Sequence, residues 1–305
     1  MNTFRVIILG AGSAVPTLHR AASSQLLQYN STYILIDCAE GTQLQLKKRK
    51  ISPMRINHIL ISHLHGDHYF GLIGLISSLH LIGRTQPLQI FGPPQLSDIL
   101  QLQLKASDTN LRFSLLFKPL SETPLQQIFN DKQFEIFAFP VLHRIPTWGF
   151  LIREKIQELN ILHEFIDAYH PDIESIHAIK KGADFYGQNG TVIKNHEITR
   201  PQPRIRSYAY CTDTAYHEPN IEIISGANLL YHEATFMGSL SREARMTFHS
   251  TTLDAAEIAK KAGVNKLLLG HFSSRYNDLE PLLIEARQIF RNTELAMDGE
   301  VFEIE

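Results

Sequence analysis

Four residues that can bind a metal ion occur within six positions of the sequence. His63, His65, Asp67 and His68 form the pattern His-x-His-x-Asp-His, after an apolar strand-like run and before a helical one. Neutral imidazole and carboxylate groups are ligands that zinc accepts. In an extended segment His63 and His65 point the same way, and Gly66 permits the turn that follows. The pattern predicts a metal site, with a polar surface loop as the alternative interpretation.

Three further candidate ligands stand where apolar, strand-like runs end. They are His143 after 137–142, Asp213 after 208–212 and His271 after 267–270. Taken singly, each is more often a histidine with a structural partner or an aspartate that caps a turn. Taken together with the His-x-His-x-Asp-His pattern, they predict a site assembled at one edge of the sheets.

The strands and helices that must position these residues alternate along the chain. Short apolar runs typical of strands occur at 4–9, 33–37, 56–62, 88–91, 113–117, 134–141, 148–152, 208–212, 229–232, 266–269 and 300–304. Helical patterns occur at 41–50, 69–81, 95–105, 253–262 and 279–291. This mixture predicts α/β layers in which helices cover the sheets.

Composition places the 305-residue chain among ordinary globular proteins, with 44% hydrophobic and 20% charged residues. A net charge of -2 argues against nonspecific coating of nucleic acid but allows a local basic surface. No apolar window long enough for a transmembrane helix is present, and we expect no membrane partner. The start of the chain lacks the pattern of a signal peptide. Cys38 and Cys211 are expected to be buried thiols in a reduced cytoplasm.

One stretch, about 154–206, departs from the alternation of strands and helices. It contains Pro171, Pro201 and Pro203 together with three glycines, which favours an insertion or arm over a second core domain. From Lys180 onward it holds six basic and two acidic residues. These cations can contact phosphate groups.

The combination of motifs resembles a known family. The strand-ending ligands resemble the metallo-β-lactamase fold, an α/β protein built as an αββα sandwich. Residues 231–235, Tyr-His-Glu-Ala-Thr, and 249–251, His-Ser-Thr, resemble motifs of ribonuclease Z, the tRNA 3′-processing endoribonuclease. Residues 270–276, Gly-His-Phe-Ser-Ser-Arg-Tyr, resemble the last ligand motif of that family, and Pro16 and Arg20 match its opening loop.

The resemblance implies a site for two Zn²⁺ ions in each chain. The first zinc would be held by His63, His65, His143 and Asp213. The second would be held by Asp67, His68, Asp213 and His271, with Asp213 bridging. Two such ions activate water and neutralise charge during phosphodiester hydrolysis. Asp67 would orient or deprotonate the attacking water, and His249, positioned by Glu233, would protonate the leaving oxygen.

The same resemblance implies the wider biology of the protein. It predicts a zinc phosphodiesterase that removes the 3′ trailer of precursor tRNA and leaves a tRNA 3′-hydroxyl. It also predicts a cytoplasmic homodimer and a single metallo-β-lactamase-like domain over 1–305, with an exosite-like arm at about 154–206. The chain departs from the family pattern twice: Ala21 follows Arg20 where asparagine is common, and the arm lacks a Gly-Pro motif.

Two other functions compete with tRNA maturation. A hydrolase of small phosphodiesters or sulfate esters on the same fold has little use for a long arm. A non-enzymatic RNA-binding or regulatory relative would be expected to lack some ligands, yet every expected ligand is present.

Overall fold

The computed structural model describes residues 2–15, 17–155, 158–187, 190–200 and 205–305. Pro16, Pro201, Pro203 and Arg204, which entered the sequence predictions, lie outside the described residues. The contacts divide the chain into two compact units. The larger unit comprises 1–130, 136–152 and 206–305, and the smaller unit comprises 131–135 and 153–205.

One seven-stranded sheet of the larger unit combines the first six strands with the last one. Numbered in chain order, its strands are β1 (Phe4–Gly10), β2 (Ser24–Tyr29), β3 (Thr32–Ile36), β4 (Ile56–Leu60), β5 (Leu88–Gly92), β6 (Leu115–Pro119) and β16 (Val301–Glu303). Their spatial order is β16-β1-β2-β3-β4-β5-β6. Strands β3 to β6 run parallel, whereas β1 is antiparallel to both of its neighbours.

The other seven-stranded sheet has the order β15-β14-β13-β12-β9-β8-β7. Its strands are β7 (Gln126–Asn130), β8 (Phe134–Pro140), β9 (Trp148–Glu154), β12 (Ser207–Cys211), β13 (Leu229–Glu233), β14 (Lys266–Gly270) and β15 (Thr293–Leu295). Strands β12 to β15 run parallel. Tyr208 and Tyr210 of β12 donate hydrogen bonds to Gln25 and Asp37 of the first sheet, so the two sheets meet face to face.

Helices cover the outer faces of these sheets. The helices of the larger unit are α1 (Thr42–Lys48), α2 (Gly66–Tyr69), α3 (Leu72–Leu81), α4 (Gln95–Ala106), α8 (Asn220–Ile223), α9 (Ser241–Thr247), α10 (Thr252–Ala262) and α11 (Glu280–Arg287), with 3₁₀ turns at Pro53–Arg55 and Gly238–Leu240. The apolar faces of α1, α3 and α4 pack on the first sheet. Helix α10 contacts β13 and β14 through a buried alanine-rich face. The layers are therefore helix, sheet, sheet and helix, which confirms the αββα sandwich that the family resemblance implies.

The smaller unit has its own elements and its own hydrophobic cluster. Its helices and strands are α5 (His163–Tyr169), α6 (Ile173–Lys180), β10 (Phe185–Tyr186), β11 (Val192–Ile193) and α7 (Asn195–Ile198). The cluster consists of Phe165, Ile179, Phe185 and Ile198. Asp172 caps α6 by accepting a hydrogen bond from the Ser175 backbone N–H. That this unit is an arm on a single domain stays a prediction.

The sequence predictions fail where packing overrides pattern. Strand β2 went unpredicted because Gln25 and Gln28 interrupt its apolar run, although every residue of the strand is buried. The predicted helix 69–81 is interrupted at Gly71, because the backbone N–H of Gly71 donates to the Cys38 carbonyl oxygen at 2.9 Å rather than to a carbonyl of the same helix. Asp37, predicted as the last residue of a strand, adopts a left-handed conformation with φ of 56°.

Two expectations from composition concern the cysteines and the membrane. Cys38 and Cys211 are buried free thiols, and burial raises the pKa of each to about 12. Within the described ranges, no helix is long and apolar enough to cross a membrane.

Candidate metal centre

The predicted ligands come together at the ends of several strands of the larger unit. His63 follows β4 after two residues, and Asp67 and His68 lie in α2. Asp213 and His271 follow the parallel strands β12 and β14. The carboxyl ends of parallel strands share one edge of a sheet, which explains why residues distant in sequence converge. The seven ligand candidates divide into the first ligand group, His63, His65, His143 and Asp213, and the second ligand group, Asp67, His68 and His271.

The first ligand group presents three imidazoles and a carboxylate to one point. The Nδ1 atom of His65 lies 3.0 Å from His63 Nε2 and 3.2 Å from His143 Nε2. The Oδ2 atom of Asp213 lies 3.5 Å from His63 Nε2 and 3.8 Å from His143 Nε2. All four donor atoms lie within 4.8 Å of one another, a spacing that suits a single ion.

The second ligand group meets the other oxygen of the same aspartate. The Oδ1 atom of Asp213 lies 3.2 Å from His68 Nε2 and 3.1 Å from His271 Nε2. The Oδ2 atom of Asp67 lies 3.6 Å from each of these nitrogens. Asp213 therefore turns one carboxylate oxygen to each group.

Left-handed backbone places three of the polar side chains at this edge. Asp37, Asp213 and His271 have φ values of 56°, 43° and 56°. Asp37 and His271 stand directly after β3 and β14, and Asp213 is the second residue after β12. Aspartate and histidine tolerate this conformation better than most residues, but it remains costly. Hydrogen bonds around the site hold the chain there.

Each candidate histidine ligand turns one ring nitrogen, the inner one, toward the cluster and the other, the outer one, away from it. Contacts to the outer nitrogens hold the rings in place. In four of the rings the outer nitrogen is Nδ1. The Nδ1 atom of His63 lies 3.0 Å from Ser62 Oγ, and that of His68 lies 2.7 Å from the Asp37 carboxylate. The Nδ1 atom of His143 lies 3.0 Å from the Phe248 carbonyl oxygen, and that of His271 lies 3.0 Å from Thr235 Oγ1. Such bonds keep the proton on the outer nitrogen and turn the lone pair of the inner nitrogen toward the cluster. Converging lone pairs and carboxylates repel without a cation, so the donor set fits divalent metal ions.

Asp37 is a functional residue that the sequence reasoning missed. Its buried carboxylate accepts hydrogen bonds from His68 Nδ1 at 2.7 Å, the Ser62 backbone N–H at 2.8 Å and the Tyr210 hydroxyl at 2.8 Å. It also accepts from Ser62 Oγ, which in turn contacts His63. One carboxylate thus orients a ring in each ligand group. A usable signal was present, since Asp37 closes an apolar run just as Asp213 does.

Electrostatics favour the neutral state that metal binding needs in three of the candidate histidine ligands, but not in His68. Burial lowers the pKa of His63 to about 4 and also lowers the pKa of His65 and His143, so these rings stay neutral. For His68 burial acts in the same direction, but Asp213 and Asp37 outweigh it and raise the pKa. A cation beside His68 and Asp213 would displace that proton on binding.

Glu233 and His249 form a pair beside the ligand groups. Glu233, the last residue of β13, is fully buried and accepts a hydrogen bond from His249 Nδ1 at 2.7 Å. It also accepts from the Thr214 backbone N–H at 2.8 Å and from Thr235 Oγ1 at 2.6 Å. Burial opposes protonation of His249, yet Glu233 raises its pKa to about 9. The imidazole therefore carries a proton at neutral pH.

The centre opens into a cleft of about 620 Å³, the metal cleft. Its walls include ligand residues together with His249, the exposed ring of Phe70 and Arg144. The Arg144 guanidinium lies 3.4 Å from His65 Nε2, which is the outer nitrogen of that ring. The cleft thus combines candidate metal ligands, a protonated imidazole and a guanidinium cation, groups that suit a phosphodiester substrate.

The sequence is similar to curated proteins along almost its whole length. It is 44% identical over 299 residues to the ribonuclease Z of Parabacteroides distasonis, covering 98% of each chain. It is 43% identical over 300 residues to the ribonuclease Z of Cytophaga hutchinsonii, covering 98% of this chain and 96% of that protein. The family described as Anti-Pycsar protein Apyc1 matches residues 4–158, which include His63 to His143 but end before Asp213.

Solved structures show the same architecture. The short form of human tRNase Z superposes with a TM-score of 0.74 at 29% identity and covers 99% of both chains. The metallo-β-lactamase fold protein YhfI from Bacillus subtilis superposes with a TM-score of 0.70 at 20% identity and covers 99% of both chains. The second likeness concerns the fold alone, and it agrees with the αββα sandwich expected from the motifs.

Proposed function

The chain belongs to the ribonuclease Z family of tRNA 3′-processing endoribonucleases, and from that premise we propose a two-metal mechanism for removing the 3′ trailer of precursor tRNA. The observation that carries the proposal is the position of Asp213 between two ligand groups, with one oxygen toward each. This arrangement offers two neighbouring sites that share a carboxylate.

Zinc is the ion that we propose for both sites, because histidine and aspartate are its common ligands in hydrolases. The first ion would be bound by His63, His65, His143 and Asp213, and the second by Asp67, His68, His271 and Asp213. When bound, the ions would lower the pKa of water and offset the negative charge of the phosphodiester.

Asp67 is proposed to orient the attacking water and accept its proton. Burial opposes ionisation of Asp67, but contacts with His271 and His68 hold the pKa of the carboxyl below its usual range. The Ala14 backbone N–H donates to Oδ2 at 2.7 Å and fixes the carboxylate in the metal cleft. An ionised, oriented carboxylate in the metal cleft is the kind of group that general base catalysis requires.

His249 is proposed as the proton donor on the other side of the reaction. Because Nδ1 of His249 is hydrogen-bonded to Glu233, Nε2 is the nitrogen that can face the substrate. Water forms a new bond to phosphorus, the bond from phosphorus to the tRNA 3′ oxygen breaks, and the Nε2 proton passes to that oxygen. The products are a tRNA 3′-hydroxyl and a released trailer.

The smaller unit is proposed to act as an arm that binds the tRNA body. Lys181 and Arg200 are exposed, and neither has an ion pair among the described residues, so their charges are available to phosphate groups. Lys180 and Lys194 pair with Glu158 and Asp184 at 3.7 and 2.9 Å. We also propose a homodimer, in which the arm of one subunit serves the other, located in the cytoplasm.

Cleavage of a precursor tRNA by the purified protein, with both product ends mapped, tests this function. We expect elemental analysis to find two zinc ions in each chain. We expect Asp67→Ala to reduce cleavage by at least about a hundredfold, because it removes the proposed base and a ligand. A product end elsewhere than the tRNA 3′-hydroxyl, or full activity in Asp67→Ala, would overturn the proposal. Circular dichroism would establish that the variant is folded.

A further inference from the structure

Arg144 lies in the metal cleft, but the proposed mechanism gives it no part. It follows His143 directly, in the loop between β8 and β9, and its side chain is exposed in the cleft. One guanidinium nitrogen lies 3.4 Å from His65 Nε2. This contact places a permanent positive charge at the outer nitrogen of a candidate ligand ring.

Hydrogen bonds hold the chain immediately before Arg144. The Leu142 backbone N–H donates to Thr214 Oγ1 at 3.1 Å, and the Leu142 carbonyl accepts from the Ala215 backbone N–H at 2.8 Å. His143 is held in turn by the contact of its Nδ1 atom with a backbone carbonyl. Arg144 therefore reaches the metal cleft from a backbone that the surrounding structure fixes.

The contact between Arg144 and His65 joins two hydrogen-bond donors when a metal ion is bound. A guanidinium donates hydrogen bonds and never accepts them. The Nδ1 atom of His65 lies 3.0 Å from His63 Nε2 and 3.2 Å from His143 Nε2, so it is the nitrogen that would bind the ion, and the ring proton then belongs to Nε2. Two donors gain little from each other, and both are satisfied by one acceptor that lies within reach of each.

None of the carboxylates that line the cleft pairs with Arg144 in the part of the chain that the structure describes. Asp67 and Asp213 are turned toward ligand histidines. Glu40 also lines the cleft, but the ion pairs of the described residues include none between Glu40 and Arg144. An acceptor supplied by the substrate would satisfy both donors.

The position of His65 Nε2 indicates which phosphate of an RNA substrate suits this place. The scissile phosphate has to lie at the ligand cluster, between the proposed base Asp67 and the proposed acid His249. The Nε2 atom is separated from that cluster by the width of the His65 ring, because Nδ1 is the atom that faces the cluster. An acceptor at Nε2 therefore suits a neighbouring phosphate of the same strand.

We propose that Arg144 and His65 Nε2 together bind the RNA phosphate that adjoins the scissile phosphate. This inference rests on the proposed function, because it names how the same site holds a further part of that substrate. A guanidinium presents several N–H donors in one plane, which suits the oxygens of a phosphate, and the imidazole N–H adds another donor. The contact fixes the strand beside the scissile bond and so helps to orient that bond for attack.

Neutral phosphates give the decisive comparison. A methylphosphonate replaces one charged phosphate oxygen by a methyl group, and it can be placed on the tRNA side or on the trailer side of the scissile phosphate. We expect Arg144→Ala to lower kcat/KM for the unmodified precursor about tenfold, as loss of a charge-assisted hydrogen bond predicts. With the methylphosphonate at the proposed phosphate, Arg144→Ala should add little further loss, because the partner of the guanidinium is already gone. The side on which this happens identifies the phosphate.

Arg112→Ala is the matched control. Arg112 is an exposed arginine outside the cleft lining, and it precedes β6 at the amino ends of the parallel strands, whereas the ligand groups lie at their carboxyl ends. It should leave cleavage of every precursor unchanged. A loss from Arg144→Ala that stays tenfold with both methylphosphonates would assign Arg144 to another partner, and no loss with the unmodified precursor would remove it from RNA binding. Either result overturns the proposal.

Elemental analysis tests the alternative that Arg144 supports the metal centre through His65. We expect Arg144→Ala to bind as much zinc as the wild-type protein, because the contact involves the outer nitrogen of one ring. A lower zinc content would make Arg144 a support of the ligand cluster and would contradict the proposal.

A binding measurement separates this inference from the proposed function. Fluorescence anisotropy of a labelled precursor, in which a methylene group replaces the leaving 3′ oxygen, reports affinity without cleavage. We expect Arg144→Ala to raise the Kd of this RNA about tenfold and Arg112→Ala to leave it unchanged. If the wild-type protein cleaves no precursor, the proposed function fails; if it cleaves them while Arg144→Ala binds the uncleavable RNA normally, only the Arg144 proposal fails.

Discussion

Most histidines of the metal centre use one ring nitrogen for the protein and turn the other toward the cluster. Two buried carboxylates anchor these contacts. Asp37 accepts hydrogen bonds from His68 and Ser62. Glu233 accepts a hydrogen bond from Thr235, which in turn contacts His271. Buried carboxylates of this kind set ring orientation and tautomer, and they make the inner nitrogen a better ligand. The residues around the candidate ligands therefore fix the ring orientations on which the proposed chemistry depends.

Replacing Glu233 by glutamine tests the proton donor. Because Glu233 raises the pKa of His249 to about 9, the ring is protonated below that pH in the wild-type enzyme. A neutral glutamine removes the attraction, so the pKa falls and less of the acid form remains at neutral pH. We expect the alkaline limb of the pH–rate profile to move to lower pH and cleavage of precursor tRNA at neutral pH to fall about a hundredfold.

A substrate with a good leaving group supplies the control for Glu233→Gln. A nitrophenyl phosphodiester releases a stable phenolate that needs no proton, so its hydrolysis should fall much less than tRNA cleavage. Loss of equal size on both substrates would show that Glu233 supports the whole centre rather than the acid.

At the scale of elements, the His-Ser-Thr motif joins the proposed proton donor, His249, to the start of a helix. Thr251 is the N-cap of α10, where its hydroxyl accepts a hydrogen bond from the Asp254 backbone N–H at 3.1 Å. The Asp254 carboxylate accepts a hydrogen bond from the Thr251 backbone N–H at 2.9 Å, which completes a capping box. Ser250 Oγ donates to the Thr214 carbonyl at 2.6 Å. The motif therefore fixes the segment from which His249 projects.

Thr251→Val tests this coupling, because valine keeps the shape of threonine but cannot cap. We expect the variant to lose about 1 kcal/mol of stability, seen as a lower midpoint of thermal unfolding. We also expect a lower kcat for precursor tRNA, since the segment carrying His249 loosens. Thr251→Ser retains a hydroxyl and should preserve both quantities. A serine variant as impaired as the valine variant would show that the methyl group, rather than the cap, is what matters.

At the scale of the molecule, chemistry and substrate binding are proposed to belong to different compact units. The metal centre lies within the larger unit, whereas the proposed arm is the smaller unit. Strand β9 ends at Glu154 and β12 begins at Ser207, so a deletion of 155–205 leaves both strands whole. This division lets tRNA binding and phosphodiester hydrolysis be measured separately.

Replacing 155–205 by a short flexible linker should reduce tRNA cleavage by more than about a hundredfold, because phosphate contacts dominate nucleic acid affinity. Hydrolysis of a nitrophenyl phosphodiester should remain close to that of the full chain. Equal loss on both substrates would contradict the role of the arm.

Mixing this deletion variant with full-length Asp67→Ala tests the proposed homodimer. Each variant alone should be inactive on precursor tRNA. If the arm of one subunit serves the partner's metal centre, mixed dimers should recover activity, because an intact arm then faces an intact centre. Failure to recover activity in a mixture shown to form mixed dimers would contradict the exchange of arms.

The sequence by itself predicted a metal site and indicated the α/β architecture. The spacing of His63, His65, Asp67 and His68 predicts a metal site, and the alternation of apolar runs with helical patterns predicts α/β layers, because these are local periodicities that residue types alone display. Motifs at 231–235 and 249–251 indicated the family. Most of the strands and helices so predicted agree with the structure within a few residues, whereas the predicted helix 69–81 is interrupted and β2 is not predicted.

Only the tertiary structure decided how the residues act on one another. Asp213 meets both ligand groups because separate strands end at one edge and a left-handed turn follows β12, which no local pattern encodes. Asp37 reads like any aspartate at the end of an apolar run until sheet packing brings Tyr210 and His68 onto it. Convergence depends on long-range packing, and packing is set by the whole chain.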